Sequence, residues 1–128
     1  MNIRERLQIM VVDDMSTSRG LIVQALELMG LRHVTDAGDG AAAATKLTRQ
    51  PVHLVISDYN MPGIDGLQLL QWMRAQPALR KTGFVLITGR AEQEMIDRGR
   101  RLGMNNFLRK PFTPAELKGC LEAVIGKF

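Results

Sequence analysis

The stretch that most constrains this chain is Leu54–Asp58, an apolar run of strand-forming residues that ends in a carboxylate. A run of Leu, Val and Ile indicates a strand of a parallel sheet that is covered on both faces. A carboxylate at the end of a buried strand is costly unless it is paired or binds a ligand, and ligands of open α/β sheets lie at the carboxyl ends of the strands. The alternative is a turn or helix-capping role for Asp58 ahead of Pro62 and Gly63. This segment alone leaves both interpretations open.

Strand and helix patterns alternate five times along the chain. After a polar, loosely held lead-in at residues 1–6, we predict strands at residues 7–12, 34–37, 54–58, 84–88 and 106–108. We predict helices at residues 16–29, 40–48, 65 or 66 to 75, and 91–102, and a last helix that Thr113 caps together with Glu116. In the first helix, Leu21, Ile22, Ala25, Leu28 and Met29 fall on one apolar face. This alternation predicts an α/β fold with a five-stranded parallel sheet and helices on both of its faces.

Length and composition indicate the number of domains and the general class of protein. The 128 residues suit one domain, 1–128, and the last predicted helix ends near the final residue, so we expect no output domain. The net charge is +4, the basic residues are scattered and aromatic residues make up 5%, so nucleic-acid binding is weakly supported. The single cysteine, Cys120, forbids an intramolecular disulfide and is predicted to be a small buried residue. Without a signal peptide or a membrane-spanning run, we expect a cytoplasmic protein that does not insert into membranes.

Polar side chains stand at the ends of the predicted strands. Asp13 and Asp14 follow the first strand, Asp58 ends the third, Thr88 ends the fourth, and Lys110 comes just after the fifth. The carboxyl ends of parallel strands meet at one edge of the sheet, so we expect these five groups to converge. For the acid pair we favour cation binding over the alternative that one of the two acids caps the next helix.

This set of groups suits phosphoryl chemistry. Three carboxylates favour a hard cation such as Mg²⁺, which prefers oxygen ligands and keeps several of its waters. A magnesium site beside a Lys and a Thr hydroxyl suits a phosphoryl group. One carboxylate then serves as the nucleophile that forms an aspartyl-phosphate, and Asp58 is the best candidate because its strand is central.

The same residues resemble those of the receiver domains of two-component response regulators, in particular the stand-alone chemotaxis regulators of that family. The likeness covers essentially the whole chain and rests on residues 11–14 (VVDD), 57–66 (SDYNMPGIDG), 86–89 (LITG) and 110–112 (KPF). It implies the flavodoxin-like receiver fold with strand order 2-1-3-4-5, which the residue pattern does not itself specify. It also implies a cis bond between Lys110 and Pro111.

The resemblance assigns roles to the site residues. Asp58 would accept phosphate from a histidine kinase, and Mg²⁺ would be held by Asp13, Asp14, Asp58 and the backbone carbonyl of Asn60. Lys110 and Thr88 would contact the phosphoryl oxygens. Such a protein is not an enzyme in the usual sense, although it promotes its own phosphorylation and dephosphorylation.

The resemblance also implies a switch and partners. Thr88 would move toward the phosphoryl group, and an aromatic residue of the fifth strand would rotate behind it and alter the surface of the fourth helix, fifth strand and fifth helix. That residue is Phe107 here, where the chemotaxis proteins commonly have Tyr. Expected partners are the kinase and a flagellar motor switch protein or a phosphatase, and we expect a monomer. A group of basic residues lies on the fourth helix and just before it: Arg90, Arg98, Arg100 and Arg101. This group is either a solvated face or a surface that binds an acidic partner.

Alternatives remain open at this point. Within the family, the chain could be a phosphorelay intermediate or a phosphate sink with no motor target. Outside it, a phosphohydrolase of the haloacid dehalogenase type uses a similar set of groups, but its second Asp, a general acid, corresponds here to Asn60. A degenerate receiver that signals by contact alone is disfavoured because the five polar groups are intact.

Overall fold

The structure is a computed structural model that describes residues 3–90 and 92–128 of the chain. The five strands are β1 (Gln8–Val12), β2 (His33–Ala37), β3 (Leu54–Asp58), β4 (Gly83–Thr88) and β5 (Asn106–Arg109). The five longer helices are α1 (Ser16–Leu28), α2 (Gly40–Arg49), α3 (Gly66–Ala75), α4 (Gln93–Arg101) and α5 (Pro114–Ile125). A single helical turn, Ile3–Arg6, precedes β1, and a short 3-10 turn, Pro77–Leu79, follows α3.

All five strands are parallel, and their order across the sheet is β2-β1-β3-β4-β5. The predicted α/β fold and the strand order implied by the resemblance are therefore confirmed. In β1, β3 and β4 alternate side chains pack into two separate apolar clusters. One cluster joins the sheet to α2, α3 and α4, and the other joins it to α1 and α5. Both faces are thus covered by helices, which is why these strands are almost continuously apolar.

The apolar residues of β3, the strand that leads to Asp58, are completely buried. Val55 and Ile56 point to opposite faces of the sheet and are each 0% exposed. Complete burial of an aliphatic side chain of this size contributes about 1.5–3 kcal/mol. The carboxyl end of β3 is therefore held rigidly by packing from both sides.

Helix ends follow the local sequence. The Asp65 side chain accepts the N–H of Gln68 at the start of α3, and Thr113 accepts the N–H of Glu116 at the start of α5; both form capping boxes. The predicted cap of the last helix is confirmed. The capping alternative for the acid pair is wrong, because Met15 occupies the N-cap position of α1 without a side-chain cap.

Three details of the sequence prediction need correction. Residues Ile3–Arg6 form a helical turn, whereas a loose lead-in was expected. Leu21 and Leu28 are 63% and 82% exposed, so they do not share the buried face of α1. That face centres on Ile22 and Leu26, four residues apart, and positions 21 and 28 lie beside it on the solvent side. Ala91, the predicted start of the fourth helix, lies outside the described residues, and α4 begins at Gln93.

The prediction that Cys120 is a small buried residue agrees with the structure. Cys120 is 8% exposed on the inner face of α5, and burial raises the pKa of its thiol to about 11. Trp72 is half-buried at the edge of the core. Within residues 3–90 and 92–128, no helix is both long enough and apolar enough to cross a membrane.

Candidate metal and phosphoacceptor site

Three carboxylates meet at the carboxyl edge of the sheet. Asp13 follows β1 and Asp58 ends β3, and these two strands are neighbours. Asp13, Asp14 and Asp58 can each offer one carboxylate oxygen such that all three oxygens lie within 4.8 Å of one another. Asp13 is completely buried, the Asp58 side chain is largely buried at 12% exposed, and Asp14 is exposed. The group therefore extends from the protein interior to solvent, and the predicted convergence of the acids is present.

Lys110 is the cation that faces this group. Its Nζ lies 3.4 Å from Oδ2 of Asp13 and 3.5 Å from Oδ1 of Asp58. The backbone N–H of Lys110 donates to the Thr88 carbonyl oxygen at 2.8 Å, which places the lysine beside the end of β4. The Lys110–Pro111 bond is cis, as the resemblance implied. One ammonium and three carboxylates leave a formal excess of two negative charges, which a divalent cation would neutralise.

The surroundings of Asp58 disfavour its charge. Burial raises the pKa of this carboxyl above its ordinary value of 3.8, the nearby Lys110 opposes the rise, and the Asp13 charge adds to it. Burial has the largest effect, so the lysine only partly compensates. The ionised form of such a carboxylate would be stabilised by a cation bound beside it.

The acid group fits a magnesium ion by its chemistry. Every candidate ligand atom is a carboxylate oxygen, which is the donor type that Mg²⁺ prefers, and the exposed Asp14 leaves a side of the site open to water. Asn60 is exposed in the loop after β3. The role of its carbonyl oxygen as a fourth ligand stays a prediction.

Thr88 is buried at the end of β4, but its hydroxyl faces its own loop. The hydroxyl donates to the Arg90 carbonyl oxygen at 2.6 Å and accepts the Arg90 N–H at 3.0 Å. Contact with a phosphoryl oxygen would require it to leave these two partners. Phe107, on the neighbouring strand opposite Leu86, is half-buried against the core. Movement of either residue stays a prediction.

The loop after β3 is packed tightly against the sheet by Gly66. A Cβ added at Gly66 would lie 2.5 Å from the Asp58 carbonyl oxygen and 2.9 Å from Cδ1 of Leu86. Only glycine allows the first turn of α3 to approach the end of β3 this closely. The N–H of Gly66 also donates to the Tyr59 carbonyl oxygen at 2.9 Å, so α3 fixes the backbone beside the acceptor.

Two residues of the site were not identified from the sequence. The Ser18 hydroxyl donates to Oδ2 of Asp13 at 2.6 Å and accepts from Nζ of Lys110 at 3.2 Å. Nη1 of Arg19 donates to the Asp13 carbonyl oxygen at 2.7 Å, while its Nε pairs with Asp36 at 3.0 Å. Their position in the first turn of α1, just after the acid pair, was the available signal. It could not show which face of that turn meets the strand end.

Two residues close in sequence to the site residues, Met15 and Arg90, are exposed. Met15 is 61% exposed, and the Arg90 side chain is 83% exposed and lies 4.0 Å from Glu92. The α4 arginines are also on the surface: Arg98, Arg100 and Arg101. Exposure is compatible with either a solvated face or a partner surface, so that choice stays open.

Comparison with known proteins identifies the class. The family model of the response regulator receiver domain matches residues 9–122. Since this match covers most of the chain, the protein belongs to the response regulator receiver family, with the fold and acid group described above.

Within that family, the chain resembles chemotaxis proteins named CheY. It is 43% identical over 126 residues to the probable chemotaxis protein CheY of Rhizobium etli, covering 98% of both chains. It is 34% identical over 122 residues to chemotaxis protein CheY-3 of Vibrio cholerae, covering 95% of this chain and 94% of the relative. It is therefore a CheY-like response regulator.

Solved structures agree with this assignment. The V. cholerae chemotaxis protein CheY4 superposes with a TM-score of 0.87 at 29% identity, covering 92% of this chain and 98% of that one. The receiver domain of a sensor histidine kinase from Pseudomonas aeruginosa superposes with a TM-score of 0.84 at 31% identity, covering 94% and 98%. That second structure has a magnesium ion coordinated in its active-site cleft.

Proposed function

We propose that this chain is a phospho-accepting response regulator in which a histidine kinase phosphorylates Asp58. The observation that supports this most is the acid group: three carboxylate oxygens within 4.8 Å, with Lys110 between two of the acids. Core packing does not require like charges to gather at a strand end, and their repulsion is costly without a cation. A site that binds magnesium and phosphate accounts for the grouping.

The proposed reaction transfers a phosphoryl group from a histidine nitrogen to a carboxylate oxygen of Asp58. The P–O bond forms as the P–N bond breaks, and the histidine nitrogen keeps the electron pair. Mg²⁺ held by Asp13, Asp14, Asp58 and the Asn60 carbonyl would neutralise charge on the phosphoryl oxygens. Lys110 supplies a further positive charge beside the accepting oxygen, and the Thr88 hydroxyl offers a donor. We propose that the same groups assist later hydrolysis by water.

Acetyl phosphate tests this proposal without a kinase. We expect intact-mass measurement to show one added phosphoryl group on the wild-type chain with Mg²⁺, and none on Asp58→Asn or after chelation of magnesium. Asp97→Asn is the matched control, because Asp97 is an exposed acid on α4 that does not belong to the acid group. Phosphate on another residue, or labelling that persists in Asp58→Asn, contradicts the assignment.

A phosphohydrolase would behave differently with a small phosphate ester. Repeated turnover of p-nitrophenyl phosphate by the wild-type chain would support the hydrolase alternative. We expect none, because Asn60 stands where that class needs a second acid and an amide does not transfer a proton in this way.

We further propose a chemotaxis pathway, with a flagellar motor switch protein or a phosphatase as partner. The support is that the relatives at 43% and 34% identity are a probable chemotaxis protein and a chemotaxis protein. Binding of a purified flagellar switch protein should strengthen when Asp58 is phosphorylated. Equal binding in both states, together with rapid drainage of phosphate from the kinase, would instead indicate a phosphate sink or relay.

Thr88 and Phe107 are the proposed switch between the site and the surface of α4, β5 and α5. Phe107 has no hydroxyl, so its two positions must differ in packing alone. Fluorophenylalanine NMR tests this: the Phe107 signal should shift on addition of acetyl phosphate and Mg²⁺, and should shift less in Thr88→Ala. An unchanged Phe107 signal in phosphorylated wild-type protein contradicts the switch.

We also propose that residues 1–128 form a single receiver domain and that the protein is a cytoplasmic monomer. Light scattering after size-exclusion chromatography checks the monomeric state.

A further inference from the structure

Ser18 joins the buried acid of the site to its lysine. Its hydroxyl donates to Oδ2 of Asp13 at 2.6 Å and accepts from Nζ of Lys110 at 3.2 Å. A hydroxyl suits this place because it donates and accepts at the same time, whereas a carboxylate only accepts and an ammonium only donates. Ser18 therefore satisfies both charged neighbours through one atom.

The geometry of Ser18 is unusual for a serine in a helix. In the first turns of helices, serine hydroxyls commonly bond to nearby backbone groups of their own segment. Here the hydroxyl donates to a side chain at the end of β1, five residues earlier. The bond is shorter than the usual O–H···O distance, as expected when the acceptor is ionised. Local helix chemistry does not explain this contact.

Asp13 is oriented on both of its oxygens by the start of α1. Oδ1 accepts the backbone N–H of Met15 at 3.0 Å, while Oδ2 accepts the Ser18 hydroxyl. The Asp13 side chain is 0% exposed, so water cannot replace a lost donor without local rearrangement. Without Ser18, Oδ2 would keep Lys110 at 3.4 Å as its described partner.

We propose that Ser18 is a positioning residue of the metal site, which orients Asp13 for Mg²⁺ and keeps Lys110 from pairing closely with that acid. The inference rests on the proposed function of the site. Removal of the hydroxyl frees the Asp13 carboxylate to rotate, and it draws the ammonium toward Oδ2, where it competes with the cation. Both effects weaken magnesium binding. Loss of a hydrogen bond that orients a metal ligand commonly costs about 10- to 100-fold in affinity.

The test is magnesium affinity of the unphosphorylated protein, measured by NMR titration of backbone amides. We expect Ser18→Ala to weaken Mg²⁺ binding by about tenfold, and Ser18→Thr to restore most of the affinity because it keeps the hydroxyl. Ser16→Ala is the matched control: Ser16 is an exposed serine in the same helical turn, and it should bind Mg²⁺ as the wild type does.

The outcomes separate this inference from the proposed function. If wild-type protein neither binds Mg²⁺ nor accepts phosphate on Asp58, the proposed function fails. If wild type does both and Ser18→Ala binds Mg²⁺ equally well, only the role of Ser18 fails. If Ser18→Thr is as weak as Ser18→Ala, the residue acts through packing and positioning is contradicted. Should Ser18→Ala not fold, Ser18→Cys keeps the shape with a weak donor and is expected to show the same loss.

Discussion

At the scale of single residues, Asp58 shows a conflict between stability and function. Its side chain is 12% exposed, and burial outweighs Lys110 in raising the pKa of its carboxyl. In the unfolded chain the same group ionises near its ordinary value of 3.8. The folded protein therefore loses stability as the pH rises from 3.8 to the raised value, and the full cost is present above that value.

Asp58→Asn should consequently be more stable than the wild type when no divalent cation is present. The amide removes the buried charge and keeps the shape, so we expect the midpoint of thermal unfolding in chelator to rise by a few degrees at neutral pH. The difference should disappear well below pH 3.8, where the Asp58 carboxyl is protonated in both the folded and the unfolded state. Asp97→Asn should show no comparable gain. An equal or lower midpoint for Asp58→Asn at neutral pH would show that Lys110 compensates fully for burial.

At the scale of elements, the position of α3 relative to β3 depends on contact between backbones. Gly66 lies where a Cβ would be 2.5 Å from the Asp58 carbonyl oxygen and 3.2 Å from Cα of Tyr59. These are main-chain atoms, which cannot move aside as the end of a flexible side chain can. By contrast, a Cβ at Gly20 or Gly119 meets no atom within 4 Å, and both glycines are in helices.

Alanine substitutions at Gly66 and Gly119 should change the free energy of unfolding in opposite directions. Gly66→Ala should lower the free energy of unfolding by about 1–3 kcal/mol, because α3 must move away from β3. Gly119→Ala should raise it by up to about 1 kcal/mol, since alanine favours a helix and no neighbour opposes it. Urea unfolding measures both. Gly66→Ala should also slow phosphorylation by acetyl phosphate, whereas Gly119→Ala should not. A neutral Gly66→Ala would mean that the close approach of α3 is not needed.

For the molecule as a whole, the sequence predicted the features that follow from hydrophobic periodicity and from the residues at the strand ends. Alternating patterns predicted all five strands and the five main helices, and the parallel arrangement then predicted that Asp13, Asp14 and Asp58 would meet. The rotation of α1 about its axis was harder. One residue is a 100° step on a helix, so the same apolar stripe could include Leu21 or exclude it.

The same limit explains why Ser18 was missed. Its role depends on which side of the first turn of α1 faces the end of β1, and long-range packing of Ile22 and Leu26 decides that rotation. Strand order was likewise absent from the residue pattern, because alternation is compatible with several sheets. Family resemblance supplied that order.

Binding of magnesium should be visible as stability of the entire fold, because only folding brings the adjacent acids Asp13 and Asp14 together with the distant Asp58. At a Mg²⁺ concentration of about 100 times the dissociation constant, linkage adds about 2.7 kcal/mol to the free energy of unfolding. Asp14→Asn should fold normally in chelator, since Asp14 is exposed, yet it should lose most of this gain. Urea unfolding with MgCl₂, compared with KCl at equal ionic strength, measures the effect. Equal gains for wild type and Asp14→Asn would place magnesium elsewhere, because a ligand stabilises a fold only through groups that bind it in the folded state.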